Sequence, residues 1–260
     1  MSSPQVQLRL NGIRKSFSGK QGQTQVLDGL TFDIHERDFV SIIGPSGCGK
    51  TTVFNIIAGL VDPDEGTLLY RGQEVDSLRG RVGYMMQKDL LFPWRTVLDN
   101  VLLGLETKGI DPKLALDTAR EYISTFGLSG FENAYPKMLS GGMRQRAALI
   151  RTLVLDPDIL LLDEPFSALD YQTRLYLEGV LMEAVETFHK TVVLVTHDID
   201  EAVALSKRVV VLSQRPARVK AVHDIALNEH SPIAARSDPR FSEYFHTLCA
   251  ELDIQTRKSA

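Results

Sequence analysis

Four stretches of this chain are apolar at nearly every position rather than at alternate ones: FVSIIG (39–44), DILLLD (158–163), TVVLVT (191–196) and RVVVLS (208–213). A strand with one face in a core alternates apolar and polar residues, so continuous Val/Leu/Ile runs require burial on both faces. Helical stretches at about 171–188 and 198–206 separate the later runs. Strands alternating with helices, each strand buried on two sides, describe a mostly parallel sheet with flanking helices, an α/β fold. The 260 residues are 43% apolar and 24% charged, which suffices for one large core or two small ones and argues against disorder, collagen or a repeat array.

The N-terminal third adds β-type runs at VQLRL (6–10), LTFDI (30–34), TLLY (67–70) and VGYMMQ (82–87), with one early helix from about Gly49 to Gly59 that places Val53, Ile56, Ile57 and Leu60 on one side. The hydrophilic SGKQGQTQ (18–25) reads as a solvated loop between strands. From Thr96 to about Leu155 the spacing is helical, with start signals at Asp111-Pro112 and Ser140, and this predicts an inserted helical lobe. Beyond Ser213, Pro216, Pro232 and Pro239 interrupt the pattern before a closing helix from about Pro239 to Leu252.

Several classes are disfavoured. Twenty-nine Lys and Arg against thirty-three Asp and Glu give a net charge of −4, which offers no bulk positive field for nucleic acid. No apolar stretch approaches the roughly 20 residues of a membrane-spanning helix. MSSPQVQLRLNG lacks the apolar core of a secretory signal, and two cysteines, Cys48 and Cys249, form no framework, so a reducing cytoplasm is the simplest expected setting.

The chemistry begins at Gly44-Pro45-Ser46-Gly47-Cys48-Gly49-Lys50-Thr51, which fits G-x-x-x-x-G-K-[ST] between a β-run and a helix. Glycines let successive backbone N–H groups turn inward around a phosphate, and the helix N-terminus adds partial positive charge. Lys50 would supply a point charge to the β- and γ-phosphates and Thr51 a hydroxyl to Mg²⁺, while Thr52 reads as structural. Cys48, beside the helix start, is either a thiolate-prone group whose alkylation would slow turnover or a small filler. A second element, Ile159-Leu160-Leu161-Leu162-Asp163-Glu164, ends a buried strand in two carboxylates where ligands of open α/β sheets sit. Asp163 would hold Mg²⁺ through water, and Glu164 is the candidate general base for an attacking water. Between them, Leu139-Ser140-Gly141-Gly142-Met143-Arg144-Gln145 reads as a second anion-binding helix start, with Ser140 as N-cap and the glycines exposing backbone N–H groups.

In LSGGMRQR the sequence resembles the ATP-binding-cassette (ABC) family, and the resemblance extends over about Val6 to Leu252. Its ordered motifs are the glycine loop, Gln87 after a β-run, LSGGMRQR, Asp163-Glu164, Ser167-Ala168-Leu169-Asp170, and His197 in VTHDIDEA. The resemblance implies a P-loop cassette with an antiparallel β-rich N-terminal part and an inserted helical subdomain. One domain, 1–260, would comprise a nucleotide-binding core (1–87 and 157–215), a helical signature subdomain (88–156) and a C-terminal extension (216–260). It implies ATP and Mg²⁺ as ligands and two copies paired head to tail. Ser140, Gly141 and Gly142 of one copy would cover the γ-phosphate held by Gly44–Thr52 of the other. Gln87 would sense Mg²⁺ and the attacking water, His197 would contact the γ-phosphate and support Glu164, and Asp170 would contact the opposite copy. Phe17, in IRKSF, matches the aromatic that stacks on adenine; the other reading is a small core contact. His35, His189, His223, His230 and His246 have no such context and receive no metal role.

The finer resemblance is to the branch serving nitrate, sulfonate, taurine and related small solutes. It is carried by LLFPWRTVLDNV (90–101), LSGGMRQR, FSALDYQTR (166–174), THDIDEAVAL (196–205) and LSQRP (212–216). It implies an importer subunit at the cytoplasmic face of the membrane, with permease subunits and an extracytoplasmic solute-binding protein as partners. Residues Gln87 to Arg95 would receive a coupling helix of the permease, and Trp94 is either an anchor there or packing within the lobe. The chain departs from the family at Arg37, where a turn commonly carries glycine. The competing class is a soluble cassette acting on DNA or ribosomes; coiled-coil or zinc insertions or a second cassette would favour it, and none is present in the sequence. A small-molecule kinase or GTPase shares only the glycine loop and leaves LSGGMRQR unexplained.

Overall fold

The computed structural model describes residues 5–19, 22–167, 169–227 and 231–254. Among the described residues the strands are β1 (Val6–Gly19), β2 (Gly22–His35), β3 (Phe39–Ile43), β4 (Glu65–Tyr70), β5 (Gln73–Val75), β6 (Val82–Met85), β7 (Ile159–Asp163), β8 (Thr191–Val195), β9 (Arg208–Leu212) and β10 (Val219–Asp224). The α-helices are α1 (Lys50–Ile57), α2 (Val97–Thr107), α3 (Pro112–Thr125), α4 (Gly141–Leu153), α5 (Tyr171–Thr187), α6 (Ile199–Leu205), α7 (Pro232–Ser237) and α8 (Phe241–Glu251).

The apolar runs form the sheet they require. Its order is β10-β9-β3-β8-β7-β6, and all neighbours are parallel except β10, which pairs antiparallel with β9. Every residue of β3, β7 and β8 is buried. Successive residues serve different cores: Leu160, Leu162, Val192 and Leu194 pack with the helices of the lobe, whereas Ile159, Leu161, Val193 and Val195 pack against α1 and the N-terminal sheet. Each such side chain removed from water contributes about 2 kcal/mol, and only a continuously apolar strand supplies two faces at once.

The N-terminal sheet is antiparallel, with order β2-β1-β4-β5, and lies over α1. Here the sequence reading is corrected: β1 and β2 run through most of 18–25, with Phe17 paired to Thr24 and Ser18 to Gln23. Polar residues there form an exposed hairpin, because two strands can satisfy each other's backbone groups without a buried face. Leu60 is the second correction. Gly59, at φ +69°, stops α1: its N–H bonds Ile56 O at 3.0 Å and Leu60 N–H bonds Asn55 O at 2.8 Å, a closure that turns Leu60 outward to 56% exposure.

Helices α2 to α4 start where the capping residues predict. Thr96 and Asp99 form a reciprocal capping box, Asp111 caps α3 ahead of Pro112, and the Ser140 hydroxyl accepts from Met143 N–H at 3.3 Å. The lobe shares a single hydrophobic cluster with the main sheet and α5. After β9 the chain adds β10, then α7 and α8, which pack on α6 around Val203, Ala235 and Leu248. Among the described residues no helix is long and apolar enough to cross a membrane.

Candidate active site

Three adjacent parallel strands, β6, β7 and β8, deliver functional side chains at their C-terminal ends, where Met85 stands beside Leu162 and Asp163 beside Val195. Gln87 follows β6, Asp163 ends β7 with Glu164 next, and His197 follows β8. Residues far apart in sequence therefore converge. Gln87 Nε2 donates to Glu164 Oε2 at 2.8 Å, and His197 Nδ1 lies 3.3 Å from Glu164 Oε1. The Glu164 backbone is left-handed at φ +48°, a conformation costly for a side-chain-bearing residue, and its N–H is held by Val195 O at 2.8 Å.

The glycine loop lies against these strand ends. Lys50, buried at the start of α1, points its ammonium to Gly44 O at 2.8 Å and Pro45 O at 3.2 Å. No side chain caps the first turn of α1, which leaves that end of the helix suited to an anion. Gly49 is required twice over: its φ is +129°, and a Cβ there would stand 2.8 Å from Val26 Cγ1 and 2.9 Å from Leu27 Cδ2.

Thr51 Oγ1 bonds Asp163 Oδ2 at 3.2 Å. Burial pushes the Asp163 carboxyl above the usual carboxylate range; the Thr51 hydroxyl opposes this and the Glu164 charge adds to it. Two hard oxygen donors, one of them a desolvated carboxylate, suit a small divalent cation such as Mg²⁺. Tyr84, absent from the sequence reading, reaches the same carboxylate at 3.5 Å and Asn55 Oδ1 at 3.3 Å. Desolvation raises its phenol, keeping it neutral.

An open cleft of about 550 Å³ is lined by Phe17, Ser46, Gly47, Lys50, Thr51, Thr52 and Glu164, among others. Phe17 is 42% exposed, with Lys15 Nζ 5.6 Å from its ring centroid, so it forms a wall of the cleft rather than a core contact. Arg215, noted in the sequence only as a branch marker, also lines the cleft and donates through Nε to Gly47 O at 3.1 Å. Cys48 is different: its side chain is buried among Val26, Val53 and Leu212, so it presents backbone but no accessible thiol to the loop. The filler reading describes it.

Ser140, Gly141 and Gly142 do not line this cleft. They open α4 against the start of α5, where a Cβ on Gly142 would meet Thr173 Cγ2 at 2.6 Å. Asp170 caps α5, accepting from Thr173 N–H at 3.0 Å and Thr173 Oγ1 at 2.6 Å. Ala168 and His230 lie outside the described residues. Trp94 is 70% exposed, its ring 5.2 Å from that of Phe92 in the same loop and outside the lobe's core cluster. Its segment is pinned by the fully buried Asn100, which accepts from Phe92 N–H at 2.8 Å and donates to Phe92 O, Arg95 O and Thr96 O. A more enclosed apolar cavity of about 310 Å³ lies at the opposite end of the strands, beside Phe39, Val185 and Leu205, and holds none of these residues.

A parallel sheet with a glycine loop and an uncapped helix start at its strand ends, a carboxylate pair and an LSGG helix start defines an ABC ATPase cassette. The family model described as ABC transporter matches residues 27–167, and the chain belongs to that family as an ATP-binding subunit. An ABC transporter ATP-binding protein of Bacillus subtilis, YtlC, is 46% identical over 91% of this chain and 92% of its own length. The aliphatic sulfonates import ATP-binding protein SsuB of Bacillus cereus is 44% identical over 82% of this chain and 84% of its own. Among solved structures, the dimeric bacterial ABC transporter cassette MJ0796 superposes with a TM-score of 0.76 at 32% identity, covering 84% of this chain and 99% of that one. The same cassette in a post-hydrolysis state bound to ADP and Pi gives 0.76 at 31%.

Proposed function

We propose that this chain hydrolyses ATP as the energy-coupling subunit of an importer for a small organic anion of the sulfonate class. The observation that carries the hydrolytic reading is Glu164, oriented on one oxygen by Gln87 and on the other by His197, beside the bond from Thr51 to the buried Asp163. Its solute class rests on the resemblance to the sulfonate-import relative.

In this reading Lys50 and the backbone N–H groups of Gly44–Thr52 hold the β- and γ-phosphates, and Phe17 stacks on the adenine. Glu164 takes the proton of the attacking water, while His197 and Gln87 fix the carboxylate and the γ-phosphate geometry. Thr51 and Asp163, with the Gln87 carbonyl, would hold Mg²⁺, which supplies positive charge to the phosphate oxygens when bound. Ser140–Gly142 lie outside the cleft of their own chain, so we place them over the γ-phosphate of a second copy, in a head-to-tail pair with Asp170 at the joint. Closure and release of that pair would drive permease subunits at the cytoplasmic face through the Gln87–Arg95 segment and exposed Trp94, with an extracytoplasmic binding protein supplying solute.

Glu164→Gln should lower kcat by at least about a hundredfold while ATP binding persists and an ATP-dependent dimer accumulates in light scattering. Turnover at the wild-type level would reject Glu164 as the base. ATPase stimulation by ribosomes or DNA, and none by a permease reconstituted from the adjacent genes, would reject the importer assignment.

A further inference from the structure

His197 has a 59% exposed side chain, so packing does not fix its ring against Glu164. Its two neighbours do. Thr196, 1% exposed, donates its hydroxyl to Glu201 Oε2 at 2.7 Å and accepts the Asp198 N–H at 3.0 Å, which closes a tight turn around His197. Asp198 then caps α6, accepting from Asp200 N–H at 2.9 Å and Glu201 N–H at 3.4 Å. Across from this turn, Arg174 of α5 reaches Asp198 Oδ2 at 2.7 Å and Glu201 Oε1 at 3.4 Å. Arg174 sits one turn into the helix that Asp170 caps, its N–H on Asp170 O at 2.9 Å.

We infer that Glu201 and Arg174 are positioning residues for hydrolysis: they lock both flanks of His197 to the first turn of α5, and so hold the imidazole at the Glu164 carboxylate. Glu201 is 3% exposed and Arg174 is itself largely covered, so the lock stands in a low-dielectric setting where a hydrogen bond is strong and a missing partner is costly. A buried carboxylate costs stability unless something offsets it, and one oxygen of Glu201 accepts from Thr196 while the other faces Arg174, which in turn holds Asp198. The same ties place Asp170 and His197 on one rigid unit, so a shift of the α5 start reaches the imidazole without passing through the glycine loop.

The inference rests on the hydrolytic reading above, and the test separates the two. ATP turnover by the purified chain is measured for wild type, His197→Ala, Glu201→Ala and the double variant, with thermal unfolding followed in parallel. Glu201→Ala should lower kcat by about tenfold or more with the KM for ATP within about twofold, and should add no further loss in the His197→Ala background. Thr196→Val, which removes the hydroxyl at constant volume, should reproduce that loss, and Thr196→Ser should retain turnover; this pair carries the test if Glu201→Ala does not fold. Losses that multiply in the double variant, or a Thr196→Val kcat near wild type, would overturn the inference while leaving the assignment of Glu164 intact. Failure of Glu164→Gln to impair turnover would instead strike the hydrolytic reading itself.

Discussion

At the scale of single residues, burial separates groups that sequence treats alike. Cys48 stands in the middle of the glycine loop, and the sequence leaves a reactive thiol and a filler both open. The fold decides: the Cys48 side chain is buried in the core cluster that holds Leu212, while its N–H bonds Pro45 O at 3.2 Å within the loop. Both cysteines are free and buried. Thiol titration of the folded chain should therefore register almost no reaction, and both groups should respond after denaturation; rapid labelling of the native chain would contradict the burial. Tyr84 and Arg215 show the reverse. Neither is given a site role by the sequence, yet one reaches the Asp163 carboxylate and the other the glycine loop, because strand register and chain reversal bring them there.

At the scale of elements, capping residues and helix starts were legible and strand extents were less so. Asp111 and Ser140 cap the helices they announce, and Thr96, where the helical spacing begins, caps α2 as well, since a cap is a local hydrogen bond between neighbours in sequence. The long β1–β2 hairpin was not legible, because its outer half is polar on both faces and pairs through backbone alone. Strand β10 was also missed; it alternates half-buried and exposed residues at the sheet edge, a weaker signal than the apolar runs. Arg37 occupies a left-handed turn at φ +58°, which explains why cassettes commonly place glycine there. In the segment that presents Trp94, Asn100 makes four hydrogen bonds to loop backbone from a fully buried position. Asn100→Ala should cost about 2–3 kcal/mol in chemical denaturation. It should also loosen Trp94, the sole tryptophan, seen as lower fluorescence anisotropy; unchanged stability and anisotropy would show that the loop holds itself.

At the scale of the whole molecule, buried charges join the C-terminal segment to the helices behind the site. Arg236 of α7 makes two bonds to the fully buried Glu178 of α5, at 2.7 and 3.1 Å, and one to Asp200 of α6 at 2.5 Å. Burial pushes Glu178 up while the Arg236 pairing pulls it down. Arg236→Met strands that carboxylate and should cost about 3–5 kcal/mol in denaturant unfolding, whereas Arg236→Met combined with Glu178→Leu should recover most of it; equal losses would deny the pairing. Glu201 gives a pH signature. Burial raises its carboxyl from an ordinary 4.5 to about 7. The folded chain thus binds this proton more tightly than the unfolded one, so the contribution of Glu201 to stability is greatest below the ordinary value and declines as pH climbs toward and through 7. The stability difference between wild type and Glu201→Gln should fall by roughly 3 kcal/mol at most from about pH 5 to about pH 8; a difference that rises with pH would place the carboxylate in a favourable ionised state instead. By itself the sequence determined the parallel sheet, the glycine turn ahead of α1, several helix starts and the cassette family, because each is written in neighbouring residues or in local periodicity. Tertiary structure alone decided that Gln87 and His197 reach the two oxygens of Glu164, that Ser140–Gly142 lie outside the cleft of their own glycine loop, and that Glu201 and Arg174 hold the two neighbours of His197. Those relations depend on which strands lie side by side and how far each side chain is removed from water, and neither is a property of any short stretch of chain.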